Sequence, residues 1–502
     1  MEVTKIGMIG VGNMGAMMSL LFAEFGIEVS FYDPSEEHGQ ALLGHAKGAK
    51  LQDKIKYRKD YQSLCENLGS PKVFVFSVPF GSVGDTTIDG LRPYLQKGDI
   101  LMDASNEHWQ STERRQKRLE PDGIHYIGMG VSGGYQSARH GPSVSPGGSE
   151  EALNIVMPFL EKIAARDKHN RPCVTKVGPG GSGHYVKMVH NGIEHGLMSI
   201  LCEVWGIMRQ SVGMEYDEIA SIFDSWNQEG PLECNFLISI GAEMCRTRDP
   251  KDNSFVLDKV RDKVVQDVEE TEGTGTWTCE EAVRLHVPVP TIMSAHLFRL
   301  ASADAARREK IKNRLHGGFK PSQIQWSGQE RTDFVKDLQK ATYASFLLSF
   351  VQGLHIIEKA NHEQKWNVDF ADMLQLWRGG CIIQSDYIVD LLEKVYRQNN
   401  LFGNDLLDHP EIGALLKKTY PALKRVVLRA IEADAPVPSL SASLEYLKYM
   451  ASTELPTQFM EAQMDYFGAH MFDLKSAEPG KPVTGEYHFE WKPARGVFDA
   501  HK

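Results

Sequence analysis

An apolar run, Lys5–Ile9, ends in Gly10-Val11-Gly12-Asn13-Met14-Gly15, and a second apolar stretch then continues to Phe25. A G-x-G-x-x-G turn between a strand and a helix lets backbone approach a pyrophosphate, which then meets the positive end of that helix. The spacing alone is weak, and a glycine turn without ligand stays open on the motif by itself. A flanking strand, a flanking helix and an acid about 20 residues further on complete the pattern of a dinucleotide-binding βαβ unit. Here that acid is Asp33, closing the run Glu28–Tyr32. A carboxylate at this point accepts from the adenosine ribose hydroxyls of NAD and repels a 2′-phosphate. Pro34 follows, and no Arg or Lys lies between Asp33 and Lys47. NAD is therefore the expected cofactor, with NADP the alternative.

The first third alternates short apolar runs with helix-like stretches. Strands are expected at Lys5–Ile9, Glu28–Tyr32, Val73–Val78, Ile100–Asp103, His125–Met129 and Val174–Val177, with helices such as Asn13–Phe25 and Ser82–Leu95 between them. Alternation of this kind implies a mainly parallel, doubly wound sheet. After the break Gly178-Pro179-Gly180-Gly181-Ser182-Gly183 the texture changes, and a period of about 3.6 residues dominates to about Leu455. Tyr185–Gln210, Thr291–Leu315 and Thr332–Ala360 read as long buried helices. The last stretch mixes Gly, Pro and aromatics and has no core of its own. The expected fold is an α/β Rossmann-type doubly wound domain (1–180), a large all-α domain for substrate and dimerisation (181–455), and a C-terminal tail (456–502). At 502 residues the chain exceeds what one core organises.

A net charge of −11 without a long basic run argues against nucleic acid or an anionic membrane as the main partner. Seven scattered cysteines without a C-x-x-C pair read as reduced thiols. Ile6–Ala23 is uncharged and long enough to resemble a membrane span, but its glycines and Asn13 fit a strand–turn–helix better. No signal peptide is apparent, and a cytoplasmic protein is the expectation.

Within Gly183–Glu194, residues Lys187, His190, Asn191 and Glu194 are spaced to share one helical face over two turns. An amine whose pKa is lowered by burial can take a proton at neutral pH, and a carboxyl whose pKa is raised can return one. The bland alternative is a solvated polar face. No H-E-x-x-H or comparable ligand cluster appears, so metal-free catalysis is expected.

At this point the residues match a family. Gly130-Val-Ser132-Gly133-Gly134 with Ala138–Gly148, Gly183–Glu194, Gly273-Thr-Gly-Thr-Trp-Thr278, Trp377–Ile383 and Gln463–His470 occur in the same order as in the 6-phosphogluconate dehydrogenases, which the chain resembles over essentially its whole length. The resemblance implies oxidation at C3 of a gluconate-like acid, loss of CO2 and reprotonation of an enediol to a ketopentose. Lys187 matches the catalytic lysine and Glu194 the acid that protonates the enediol. Asn106, Ser132, Gly133, Gly134, His190 and Asn191 match positions that hold the sugar acid and nicotinamide, and Val78 falls on the cofactor side. Thr274 and Arg299 match donors to the substrate phosphate. The resemblance also implies a homodimer in which the partner's tail, carrying His470, completes the site.

The departures are specific. Where the family has Asn-Arg-Thr to grip the NADP 2′-phosphate, this chain has Asp33-Pro34-Ser35. Around the substrate phosphate a tyrosine has become His195, a lysine Glu272 and a tail arginine Met464. The last two changes alter the formal charge there by about −3, and each charged hydrogen bond to a phosphate is worth on the order of 1.5–3 kcal/mol. Arg331, Lys336 or Arg139 are the cations that could compensate. The expectation is thus an NAD-linked decarboxylating dehydrogenase acting on an aldonate that lacks the 6-phosphate or carries another group. The alternatives are an ordinary NADP-dependent 6-phosphogluconate dehydrogenase of the pentose phosphate pathway, a β-hydroxyacid dehydrogenase that does not decarboxylate, and a non-catalytic relative.

Trp377-Arg378-Gly379-Gly380 reads as structural packing with a helix C-cap, and histidines such as His286 and His316 as surface or satisfied core residues.

Overall fold

Alternating apolar side chains on the strands face both ways, so the sheet is covered on both faces. In the computed structural model Val29, Val75, Met102 and Ile127 enter one core with Phe22 and Leu160, while Ile9, Phe74, Phe76 and Leu101 enter another with Ile88 and Leu119. Such two-sided burial belongs to parallel sheets wrapped by helices. The structure describes residues 2–266, 273–398, 405–478 and 485–492.

The sheet has seven strands: β1 (Lys5–Ile9), β2 (Glu28–Tyr32), β3 (Ile55–Tyr57), β4 (Val73–Phe76), β5 (Ile100–Asp103), β6 (His125–Ser132) and β7 (Ser143–Gly147). Their order is β3-β2-β1-β4-β5-β6-β7; all neighbours are parallel except β6 and β7. The order reverses between β1 and β4, and ligands of doubly wound sheets bind beyond the carboxyl ends of the strands at such a point. The Ile6–Ala23 run resolves into β1, the glycine turn and the helix Asn13–Glu24. Among the described residues no helix is long and apolar enough to cross a membrane.

Two expectations need correction. Val174–Val177 is not a strand: Val174 makes only an isolated bridge to Val144, and the next bridge joins Gly147 to Gly178. The expected helix Thr291–Leu315 is two, Pro290–Ala303 and Ala305–Arg314. Asp304 leaves the helical region between them, and its carboxylate accepts from Arg307 N at 3.0 Å, starting the second helix.

Beyond the sheet the chain is helical. Ser182–Gly206 packs on β6 and β7 at one end and on the helices Thr274–Arg284, Pro290–Ala303 and Gly328–Gln364 along its length. Glycines permit the first contact: a Cβ on Gly183 would lie 2.2 Å from the Gly128 carbonyl oxygen, and one on Gly147 2.4 Å from Gly183 N. At its far end Glu203 is buried and accepts from Ser439 N (2.8 Å), Leu440 N (2.9 Å) and Ser199 Oγ (2.9 Å), capping the helix Pro438–Met450. Burial nevertheless outweighs those bonds and pushes its carboxyl up to about 7.

The chain separates into two units, Met1–Leu444 and Glu445–Lys502. In the second, the buried carboxylate of Asp465 accepts from Met471 N, His488 Nδ1, Phe489 N and Trp491 Nε1 at 2.8–3.1 Å. Burial alone would raise its pKa, but these four donors hold it well below the carboxylate range. Phe459, Met460, Tyr466 and Phe467 of the helix Thr457–Gly468 are exposed.

Candidate active site

Backbone geometry builds the first wall of the cleft. Gly10 has φ +84°, and a Cβ there would lie 2.3 Å from the Ser77 carbonyl oxygen, so the turn after β1 closes tightly on the end of β4. A Cβ on Gly15 would lie 2.0 Å from Gly10 O, whereas one on Gly12 meets nothing within 4 Å. Gly10 and Gly15 therefore serve packing, and Gly12 leaves open backbone at the N-cap of Asn13–Glu24. That division suits a pyrophosphate seated on a helix N-terminus. Val11 is buried, Asn13 exposed and Met14 half-buried.

Asp33 closes this wall. Its Oδ2 accepts from Val11 N at 2.7 Å and its Oδ1 from Ser35 N at 2.8 Å, with His38 Nδ1 3.5 Å away. Ser35 caps the helix Glu36–Gly48 by accepting from His38 N, and Glu36 and Glu37 occupy the first turn. Val78 follows β4, with its N–H donating to Ser105 Oγ at 3.3 Å, and Asn106 is exposed on the loop after β5. Buried charge holds that loop. Arg115 is fully buried and donates to Glu107 (2.7 Å), Asp103 (3.3 Å) and the Gly81 carbonyl (2.6 Å), while Glu107 accepts from Gly81 N (2.9 Å). Phe80 and His108 meet Trp277 edge-on, at 5.2 and 5.0 Å, linking this wall to the helix Thr274–Arg284.

Side chains build the second wall. Lys187 is buried, and its stem lies where Gly130 has no side chain: a Cβ there would be 2.3 Å from Lys187 Cβ. Lys187 Nζ donates to Asn191 Oδ1 at 2.8 Å, His190 Nδ1 lies 3.0 Å from the same oxygen, and Asn191 Nδ2 donates to Thr274 Oγ1 at 2.8 Å. An amide oxygen only accepts, so the network assigns a proton to His190 Nδ1. His190 Nε2 is then a bare acceptor, buried and without a hydrogen-bond partner among the described residues. Burial, with the Lys187 cation adding to it, holds the His190 pKa well below its ordinary value. Glu194 Oε2 is 3.7 Å from His190 Nδ1, and the carboxyl is only partly buried.

The spacing of Lys187, His190, Asn191 and Glu194 thus becomes one connected face, not a solvated one. The orphaned His190 Nε2 is the kind of atom a bound hydroxyl completes. Ser132 is buried at the end of β6, and Gly133 (φ +97°) and Gly134 (φ +66°) open the helix Gly134–His140. A Cβ on Gly133 would be 2.2 Å from Gly380 O, and Gly380 O also accepts from Ser143 N at 3.0 Å. The Trp377–Gly380 block is therefore packing against this turn; its 3₁₀ helix Leu374–Arg378 ends at Gly379.

His195 and Arg299 lie further along, on Ser182–Gly206 and Pro290–Ala303, and His470 is exposed in the second unit. Glu272 falls outside the described residues. The three candidate compensating cations are engaged elsewhere: Arg331 with Glu218, Lys336 with Asp333 and Arg139 with Glu24. Sequence reasoning quoted Gly130 in a family block without a role, which the helix–strand contact supplies, and it missed the His296 ring beside His195.

An open glycine turn at the switch point of a doubly wound sheet, with a buried lysine on the helix that packs against β6 and β7 of the same sheet, fits the class of nicotinamide-dependent oxidoreductases. Sequence models of the NAD binding domain and the C-terminal domain of 6-phosphogluconate dehydrogenase match residues 5–178 and 183–491. The chain is 44% identical to the decarboxylating 6-phosphogluconate dehydrogenase of Emericella nidulans, over 96% of this chain and all of that one. It is 35% identical to the NADP(+)-dependent decarboxylating enzyme of Bacillus subtilis, over 98% of this chain and all of that one. A solved structure of Plasmodium falciparum 6-phosphogluconate dehydrogenase, studied with NADP+ and with 6-phosphogluconate, superposes with a TM-score of 0.87 at 33% identity, covering 97% of this chain and all of that one. The chain belongs to the 6-phosphogluconate dehydrogenase family.

Proposed function

We propose that the protein oxidises and decarboxylates 6-phosphogluconate, using Lys187 and Glu194 for proton transfer. One observation carries the reading: Lys187, His190, Asn191 and Thr274 form a buried hydrogen-bonded line along one helical face, with Glu194 beside it. The names of the relatives support the phosphorylated acid as substrate. A dinucleotide held by its pyrophosphate at the Gly12 turn would supply the hydride acceptor. Lys187 takes the C3 hydroxyl proton and then returns it to the ketone oxygen as CO2 leaves, stabilising the charge that builds there. Glu194 protonates the resulting enediol carbon while Lys187 takes the proton back from the enol oxygen, leaving the ketone of the ketopentose. His190 Nε2 accepts from a sugar hydroxyl, and Asn106, Ser132, Gly133 and Gly134 line the same acid.

The cofactor reading is NAD. Asp33 is fixed by two backbone N–H groups, and Glu36 and Glu37 follow it, so a 2′-phosphate would meet several carboxylates. Each such uncompensated repulsion works against NADP. A second reading, an aldonate lacking the phosphate, is favoured by the pairing of Arg331, Lys336 and Arg139 away from the site.

Initial rates for NAD and NADP against gluconate and 6-phosphogluconate test these choices together. NAD-dependent turnover of 6-phosphogluconate is expected. Efficient NADP turnover would overturn the cofactor reading, preference for gluconate would install the second reading, and no turnover would end the enzymatic one.

A homodimer is part of the proposal. Exposed Phe459, Met460 and Phe467 suit burial against a second copy, which would carry His470 towards that copy's site. Truncation before Phe459 is expected to abolish turnover and leave NAD binding; surviving activity would refute the tail's role.

A further inference from the structure

We propose that Trp277 is a positioning residue: acting through Phe80 and His108, it sets the loops that would carry the nicotinamide against the helix face that would carry the sugar acid. The inference rests on the functional reading above. Phe80 stands on the loop after β4 and His108 on the loop after β5, at the carboxyl ends of the strands, where ligands of doubly wound sheets bind. The first of these loops starts beside the cofactor turn, since Ser77 O is the atom that a Cβ on Gly10 would strike at 2.3 Å. Trp277 stands on Thr274–Arg284, in the same first turn as Thr274, whose hydroxyl accepts from Asn191 Nδ2. A Cβ on Gly273 would fall 2.5 Å from Trp277 Cζ2, so the indole lies back over the start of its own helix.

Successive residues of both loops make opposite contacts. Gly81 and Glu107 meet Arg115, which donates to the Gly81 carbonyl and the Glu107 carboxylate, and Glu107 also accepts from Gly81 N. Their neighbours Phe80 and His108 meet Trp277, with ring centroids 5.2 and 5.0 Å from the indole and planes at 85° and 79° to it. The charged side ties the two loops to each other, and the aromatic side ties both to the helix of Thr274. Asn106, next to Glu107, rides on the same loop. A second path closes the ring of contacts. His108 stacks with Trp109 (6.2 Å), Trp109 meets Tyr185 edge-on (5.6 Å), and Tyr185 OH donates to Glu281 Oε2 (3.1 Å), one turn after Trp277 on its helix. Tyr185 lies two residues before Lys187 on Ser182–Gly206. Both ends of the path therefore return to the elements that hold the reaction face.

Rings placed for core packing alone would be buried. Trp109 and Tyr185 are, but Phe80 is 37% exposed, and His108 and Trp277 are half-buried. The half-open rings occupy the seam between the two walls. Aromatic edges meet at a defined spacing with few rotatable bonds to fix. Hydride transfer is sensitive to such spacing, because a 1 Å misplacement of reacting groups can cost about 10²-fold in rate. Trp277 acts on neither reactant directly; it sets the distance between the surfaces that hold them.

The test compares W277A, W277F, F80A and H108N with the wild type. Fluorescence titration with the reduced cofactor that the wild type prefers gives its Kd and the number of binding sites, and kcat for 6-phosphogluconate is expressed per site. In W277A this kcat is expected to fall by roughly 10²-fold, while the cofactor Kd and the KM for 6-phosphogluconate stay near wild type. W277F keeps a ring against Phe80 and His108 and is expected to recover most of the loss. F80A and H108N each remove one ring contact, the asparagine preserving a cap for Gln110 N, and are expected to lower kcat in the same way by a smaller factor. An unchanged kcat per site in W277A, or no recovery in W277F, would overturn the inference. Weakened cofactor binding as the main effect would overturn it too, making Trp277 part of the binding surface. Should W277A not fold, an unchanged kcat per site in both F80A and H108N would decide against it. Wild-type turnover with unresponsive variants sinks this inference alone, whereas no wild-type turnover of any sugar acid sinks the functional reading and this with it.

Discussion

The two walls of the cleft are made from different material. The cofactor wall is backbone: Gly10, Gly12 and Gly15 act by what they lack, and even Asp33 is spent on the N–H groups of Val11 and Ser35. The wall proposed for the sugar acid is side chain, drawn from helices far apart in sequence and joined through Asn191. A backbone site survives most substitutions except those that add atoms, whereas a side-chain site fails when one polar group is removed.

Lys187→Met should therefore give the largest effect. Turnover should fall by roughly 10³-fold or more, the range of a lost general acid–base, while cofactor binding by fluorescence titration stays unchanged. Loss of both together would mean the walls are not separable. Gly15→Ala should show the opposite pattern. Its Cβ would fall 2.0 Å from Gly10 O, so the turn must shift. Cofactor affinity is expected to weaken by about tenfold or more, as close backbone approach to the pyrophosphate is lost, with the sugar-acid KM little changed. Thr274→Val removes the acceptor of Asn191 Nδ2 and should lower kcat by about tenfold, the weight of one lost buried hydrogen bond with its unpaired donor. An unaltered kcat would show that Asn191 is oriented from elsewhere.

The smallest effect separates the two ends of one helix. Lys187 lies in the second turn of Ser182–Gly206 and Glu194 at its midpoint, while Glu203 near the far end is a cap for the next helix. Its folded pKa, about 7, lies above the ordinary 4.5, so its protonated form favours the folded state. That contribution is full below pH 4.5, declines as pH rises towards 7 and is flat above; at about 1.4 kcal/mol per unit it amounts to a few kcal/mol. Unfolding midpoints at pH 5 and pH 8 should fall more in the wild type than in Glu203→Gln. Parallel falls would show that Glu203 is ionised throughout.

The same contrast decides what could be read from sequence. β1, β2 and β5 follow their apolar runs residue for residue, and the glycine turn announced the fold. β7 was not expected because Ser143-Val-Ser-Pro-Gly147 carries a proline and little β propensity; pairing with β6 overrides both. β3 is only three residues long, and Val174-Thr-Lys-Val177 mimicked a strand because its two terminal valines are buried although only Val174 makes a bridge. At the site, the spacing of Lys187, His190, Asn191 and Glu194 was legible because a single helix carries them. The Thr274 bond, the Gly130 contact and the His195–His296 pair join distant segments, and no local spacing encodes them. His296 on an apolar helix reads as core, and its partner lies 101 positions away in the chain.

The most direct test is the molar ratio of CO2 released to reduced nicotinamide formed during turnover of 6-phosphogluconate. One CO2 for each reduced nicotinamide is expected if Lys187 and Glu194 carry oxidation through to the ketopentose. Reduced nicotinamide accumulating without CO2 would contradict it and leave a dehydrogenase that stops at the keto acid.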